Sequence, residues 1–252
     1  MNKKLLIIFS LAIMGLSCKS QTDHKIKVFI AWPGAEYLPS YEWKTGEEKP
    51  TGIEPALIEK ILTMAGYEFT YVKDYKPAND VDDVRITVIT DDIADISIRS
   101  ITINEPRKDK VNFSIPYYYD GLSAMVTDDN ITKKADFSGK VIYADKFTTA
   151  YIWAIENLPN AHIVTHQNFN NDLPEDLLSQ KKIDVLLGDR TWLMNLARNE
   201  KKFKVLDEKF TKEPFGIAID KNKTELLKKI NSAIRELKET GELDKLTSEF
   251  EK

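Results

Sequence analysis

The 252-residue chain has a single cysteine, Cys18. No disulfide can form within it, so the fold rests on packing and hydrogen bonding. Histidine is scarce as well, at three residues. His162 and His166 are four apart, but they flank Ile163-Val164-Thr165, which reads as a strand. The helical spacing of a zinc pair is therefore not expected, and no cofactor or metal is implied. The chain contains no G-x-S-x-G nucleophile elbow and no glycine-rich phosphate loop, so neither signature chemistry is indicated. Glycine and proline number ten each, too few for a fibrous or low-complexity chain. Basic excess is missing: 36 Lys and Arg stand against 40 Asp and Glu, a net charge of −4. That balance does not suit a nucleic-acid partner. A membrane-length apolar run is also missing, since a span needs about 20 residues and the run after Lys4 is shorter.

The N-terminus has a different pattern. Lys3 and Lys4 precede a Leu/Ile/Phe-rich run that closes on Gly15-Leu16-Ser17-Cys18. A basic start, a short apolar stretch and small residues describe a secretory signal over residues 1–17. Its removal takes two lysines and no acid, leaving a more acidic exported chain. Cys18 at the end of that stretch resembles a lipobox, although Gly15 stands where a leucine is usual. The resemblance implies lipid attachment at Cys18, a tether over residues 18–24, and a protein held on a bacterial membrane facing the periplasm or cell exterior. The remaining length allows one large domain or two lobes, each with a core.

Strands and helices alternate along the rest. Lys27 to Trp32, Tyr67 to Val72, Leu122 to Val126, Lys140 to Tyr143, Ala161 to Thr165, Ile183 to Leu187, Lys204 to Leu206 and Phe215 to Ile219 read as strands. Ile93 to Ile98 reads as a buried strand broken by Asp95. Glu54 to Ala65, Thr149 to Leu158, Glu175 to Lys181 and Thr191 to Asn199 read as helices. Leu226, Leu227, Ile230, Ala233, Ile234 and Leu237 recur at helical spacing. Asn222 is the expected cap of that helix, with Gly241 ending it and a short helix over Leu243 to Phe250 following. Val84 to Thr90 is β-branched and favours a strand. The alternation predicts an α/β fold with mainly parallel sheets.

The segment Arg99-Ser100-Ile101-Thr102-Ile103-Asn104-Glu105-Pro106-Arg107, followed by Val111-Asn112-Phe113-Ser114-Ile115-Pro116-Tyr117, carries the most chemistry. Hydroxyls at a strand end and an arginine soon after suit a carboxylate. The segment resembles the carboxylate-binding stretch of the family 3 extracellular solute-binding proteins, the polar amino-acid receptors of ABC importers. Five other matches follow the family order: Thr51-Gly52-Ile53-Glu54, Phe137-Ser138-Gly139-Lys140-Val141, Ile183 to Asp189, Phe215-Gly216-Ile217-Ala218, and Asn231 with Gly241-Glu242-Leu243. The resemblance implies the type II periplasmic-binding-protein fold, two α/β lobes joined by two hinge strands with a ligand cleft between them, and a helix over Val84 to Thr90, where the residues themselves favour a strand. Lobe 1 would be residues 25–122 and 215–252, and lobe 2 residues 123–214, with crossings near 121–127 and 210–215.

The same resemblance assigns the site. Arg107 would clasp a ligand α-carboxylate, helped by Thr102. Ser100 would reach the amino group through its backbone. Asp189 would bind that ammonium from the other lobe. Thr148 and Thr149 match a lobe 2 carboxylate contact, although Phe147 or Lys146 stands where the family has glycine. Tyr41 would stack on the ligand side chain, with Tyr37 and Trp43 as alternatives. Arg99 would add a second cation, suited to an acidic ligand. Structural readings stand beside these: a surface Arg107 pairing Glu105 or Asp109, an N-cap at Asp189, an outward Arg99 and a core Tyr41. The implied function is capture of a small zwitterion, an amino acid, by a monomer that serves an ABC permease and is not an enzyme. A sensing lipoprotein and a cyclohexadienyl-dehydratase-like enzyme on the same fold are the rivals. A fused catalytic domain is not expected after Phe250.

Overall fold

The computed structural model describes residues 25–75, 83–169 and 172–251. Cys18, the leader and the tether lie outside them. The chain opens with β1 (Ile26–Phe29), the short hairpin strands β2 (Glu36–Tyr37) and β3 (Tyr41–Glu42), α1 (Ile53–Met64) and β4 (Phe69–Tyr71). It continues through α2 (Val84–Thr90), β5 (Ile96–Ser97), α3 (Glu105–Lys108) and β6 (Asn112–Phe113). β7 (Tyr118–Asp120) then carries it to a second unit: β8 (Leu122–Val126), β9 (Val141–Tyr143), α4 (Thr149–Asn157), β10 (His162–Val164), α5 (Pro174–Ser179), β11 (Val185–Asp189), α6 (Arg190–Ala197) and β12 (Lys204–Val205). β13 (Glu213–Phe215) returns it to β14 (Ala218–Ile219), α7 (Thr224–Glu239) and α8 (Glu242–Thr247).

Two five-stranded sheets result, in orders β4-β1-β5-β14-β6 and β10-β9-β11-β8-β12. Both are mixed. In the first, β4, β1 and β5 run parallel while β14 is antiparallel to β5 and β6. In the second, β10, β9 and β11 are parallel and β8 is antiparallel to β11 and β12. The expectation of mainly parallel sheets is corrected here. β8 and β14, the strands that follow the two crossings, each enter their sheet against the direction of both neighbours. β7 and β13 pair antiparallel as the ribbon between the two units.

Each sheet is covered on both faces, which is why its central strands read as largely apolar runs. Along β8, Leu122, Ala124 and Val126 face one core and Met125 the other. Along β1, Val28 and Phe29 likewise divide between two cores. A matching pin recurs in the two units. Asp95 accepts the backbone N–H of Lys27 at 2.7 Å, and Asp184 accepts that of Val141 at 2.8 Å. Asp95 is also paired with Lys223 at 2.9 Å. The charge that broke the apolar run at Ile93–Ile98 is therefore a structural tie.

Four local expectations change. Val84–Thr90 is helix α2, not strand. Asp83 caps it by accepting the Arg85 N–H, and the turn of spacing between Ile86 and Ile89 buries both. Capping and burial outweigh the weak β-propensity. Phe215–Ile219 is interrupted at Gly216, where a Cβ would meet Ile103 at 2.7 Å. The α7 helix starts at Thr224 with Lys223 as cap residue, not Asn222. Leu243–Phe250 begins as α8 but ends in a 3₁₀ turn from Ser248. Among the described residues no helix is long and apolar enough to cross a membrane.

Candidate functional site

The polar ends of β5 and β11 face each other across a cavity of about 520 Å³. Both sheets contribute to its walls. Seven of the eight residues expected at a site line it: Arg99, Ser100, Thr102, Arg107, Thr148, Thr149 and Asp189. The eighth, Tyr41, is fully buried and does not. In the β2–β3 hairpin Tyr37 is paired with Tyr41, their rings 6.3 Å apart and nearly parallel. Tyr37 is the outer ring of that stack, so it takes the wall position. Its far face lies on Trp192 of α6, 5.4 Å away at 12°.

The first wall is built on the strand end at Ser100. Its backbone is left-handed, with φ 46°. Glu54, buried at the start of α1, holds that turn by accepting the Ser100 N–H at 2.6 Å and the Tyr117 hydroxyl. The Ser100 hydroxyl also bonds Ser40 at 2.8 Å. Arg107 is buried rather than on the surface. Its Nη1 donates to the Thr102 carbonyl at 2.8 Å and its Nη2 to Asp83 Oδ2 at 2.8 Å. Arg85 clamps the same carboxylate, with Nε and Nη2 at 2.7 and 2.8 Å. Two arginines thus share one aspartate. Burial alone would raise the Asp83 pKa, yet Arg85 and then Arg107 hold its carboxyl well below the usual range. Arg107 is pushed down to about 10, first by burial and then by repulsion from Arg85. This wall is short of one negative charge.

Arg99 faces inward, which excludes the outward reading. Its guanidinium lies 5.2 Å from the Trp32 ring and 5.3 Å from the Tyr41 ring, two cation–π contacts.

The second wall carries the complementary imbalance. Asp189 precedes α6 yet makes no side-chain cap bond to it. Asp120 takes the capping task, accepting the Thr191 N–H at 3.1 Å and hydroxyl at 2.7 Å. Asp189 is left facing the cavity, where it accepts the Tyr37 hydroxyl at 3.1 Å. Its pKa is pushed up to about 7, chiefly by burial and then by the charges of Asp120 and Glu213. Gly188 beside it lets the Trp192 ring lie close, since a Cβ there would meet that ring at 2.9 Å.

Thr148 caps α4 by accepting the Tyr151 N–H at 3.2 Å. With Thr149 it presents the start of that nine-residue helix to the cavity, an end suited to an anion. The missing glycine is resolved locally. Phe147 keeps a left-handed backbone at φ 66°, a conformation costing a non-glycine residue roughly 1 kcal/mol. Its carbonyl accepts Arg107 Nη2 at 3.4 Å across the cavity.

Asp83, Arg85, Trp32 and Trp192 also line the cavity, and the sequence does not place them there. Only Arg85 left a trace, as a lone charge inside the apolar run Val84–Thr90. Among the described residues no group of acids, histidines or cysteines is arranged to hold a metal.

Residues 34–251 match the family model of bacterial extracellular solute-binding proteins, family 3. The L-cystine-binding protein TcyJ of Escherichia coli K12 is 26% identical over 94% of this chain and 90% of its own. The ABC transporter glutamine-binding protein GlnH of Bacillus subtilis is 29% identical over 64% of this chain and 59% of its own. The crystal structure of the ancestral amino-acid-binding protein AncCDT-1, a precursor of cyclohexadienyl dehydratase, superposes with a TM-score of 0.75 at 27% identity, covering 90% of this chain and 96% of that one. The fold is that of type II periplasmic binding proteins.

Proposed function

The chain belongs to the bacterial extracellular solute-binding proteins of family 3, and we propose that it captures an amino acid or related small zwitterion for an ABC permease. One observation carries this reading: a cleft with two arginines sharing one aspartate on one wall and the Asp189 carboxylate, bonded to the Tyr37 hydroxyl, on the other. A ligand with a carboxylate and an ammonium complements both walls. Desolvated charges are costly unless paired, so the two pairings become affinity when the zwitterion fills the cleft.

In this reading Arg107 and Thr102 take the carboxylate, with Thr148 and Thr149 at the start of α4. Asp189 takes the ammonium, with the Ser100 backbone beside it. Tyr37, Trp32 and Trp192 wall the ligand side chain, and Arg99 reads its far end. Lobe 1 is residues 25–122 and 215–252, and lobe 2 is residues 123–214. Closure about the β7–β13 ribbon is the expected motion. The receptor is exported as a monomer and anchored through lipidated Cys18.

A second reading has one specific observation in its favour. An acid with a pKa near 7 in a closed cleft could protonate a leaving hydroxyl, as a dehydratase requires. Asp189 has that property. Its hydrogen bond to Tyr37 and the ammonium-sized charge deficit favour binding instead.

A thermal-shift screen of residues 19–252 against amino acids, small peptides and organic acids tests both readings. Ligand at a hundred times its Kd adds about 2.7 kcal/mol, which moves the melting point roughly 5–10 °C for a chain of this size. Arg107→Ala should melt as a folded protein and lose the shift. An unchanged affinity in that variant would overturn the site. Turnover of a cyclohexadienyl acid would establish the dehydratase.

A further inference from the structure

Asp83 sits where an incoming carboxylate would sit on Arg107. It is 12% exposed at its side chain, between Arg85 at 15% and Arg107 at 9%. All three line the cavity. Arg107 Nη2 reaches Asp83 Oδ2 at 2.8 Å, and Arg85 holds both Asp83 oxygens. Two positive charges and one negative charge leave the cluster at +1. One ligand carboxylate balances that exactly once. A second anionic charge finds no further partner in the cluster and meets Asp83 itself.

We propose that Asp83 is a specificity-determining residue, which holds Arg85 and Arg107 to one net positive charge so that this wall accepts a single carboxylate and rejects dianionic groups. The proposal rests on the carboxylate assignment to Arg107 made above. Arg85 keeps Asp83 in its bidentate grip while the ligand takes Arg107, so the aspartate is displaced from one arginine and not from both. Asn in place of Asp removes the charge and keeps a good helix cap for α2. Leu in place of Arg85 suits a position in the apolar run of that helix.

The test varies the cluster charge and reads affinity. Wild type stands at +1, Asp83→Asn at +2, Arg85→Leu at 0, and the double variant at +1 again. The probes are L-glutamine and its α-aminophosphonate analogue, which differ by one charge at the group assigned to Arg107, and sodium sulfate against sodium chloride at matched ionic strength. In Asp83→Asn the preference for the phosphonate over the carboxylate should rise about tenfold, equal to about 1.4 kcal/mol. Sulfate should stabilise that variant and not wild type. Arg85→Leu should lose at least tenfold in amino-acid affinity, and the double variant should recover to near wild type.

A double variant weaker than either single variant would overturn the proposal, because that is how two merely structural residues behave. Equal sulfate responses in wild type and Asp83→Asn would also overturn it. If no form binds L-glutamine or its analogue, the amino-acid reading is weakened and the sulfate arm still decides Asp83. A sulfate response confined to Asp83→Asn, and lost when Arg107→Ala is added, would uphold it.

Discussion

At pH 7 the Asp189 carboxyl, with its pKa pushed up to about 7, is divided between its two forms. The folded protein holds this proton more tightly than an unfolded chain does. Between an unfolded carboxyl near pH 4 and the folded value near 7, the native state therefore carries the extra proton, and stability of the empty protein falls as pH rises through that window. Under the proposed function ligand binding runs the other way, because an ammonium needs the ionised form. Affinity should weaken by up to tenfold per pH unit below 7 and level off above it, a profile that calorimetric titration at several pH values would give. Asp189→Asn should melt no lower than wild type without ligand and should bind at least a hundredfold more weakly. A variant that binds normally at pH 5 would remove Asp189 from the site. Arg107 is the converse case: its charge is disfavoured by burial and by Arg85, and a carboxylate relieves both.

Helix ends decide much of what happens at the next scale. α6 begins at the cavity, and its first donors are met by Asp120, a residue of the β7 ribbon strand, instead of by the adjacent Asp189. Asp120→Asn keeps the cap acceptor and removes a charge that raises the Asp189 pKa, so the pH midpoint of binding should move below 7 with little change in melting point. Asp120→Ala should instead cost roughly 0.5–2 kcal/mol through the lost cap. In α7, Ile230 is fully buried, and Ile230→Ala should destabilise by about 2–5 kcal/mol in a urea titration. Most elements were legible because sheets buried on both faces give apolar runs and α7 gives a clear helical period. Val84–Thr90 was not, because a short apolar run fits a buried strand as well as a helix, and the deciding Asp83 cap lies outside it. The same logic separates the site residues. Arg107, Thr102 and Ser100 sit in one motif and are placed by its resemblance to that of the family. Asp83, Arg85 and Trp192 reach the cavity only through packing between separate elements. Tyr41 and Tyr37 exchange roles because they are paired across a hairpin, and nothing in the sequence says which of two stacked rings is outermost.

At the scale of the molecule, contacts cross the cavity even without ligand: Tyr37 to Trp192 and Asp189, and Arg107 to the Phe147 carbonyl. Trp192 should therefore report on closure. Its emission should change on binding, and Tyr37→Leu should shift the ligand-free spectrum towards that of a solvent-exposed indole. Tyr37→Leu with an unshifted spectrum would mean that the stack does not hold the two sides together. The ribbon of β7 and β13 has another consequence. Asp120 and Glu213 are register partners on it, and the Leu122 N–H donates to the Thr211 hydroxyl at 3.0 Å. The second unit thus leaves and rejoins the first at adjacent points, as a cassette whose two ends nearly touch. It could be cut out as one uninterrupted piece, and the gap between Asp120 and Glu213 closed by a tight turn, leaving each sheet with both of its covering layers. A gene segment that enters and exits at one point can be exchanged as a unit, so the wall bearing Asp189 and Trp192 can be replaced without disturbing the wall bearing Arg107.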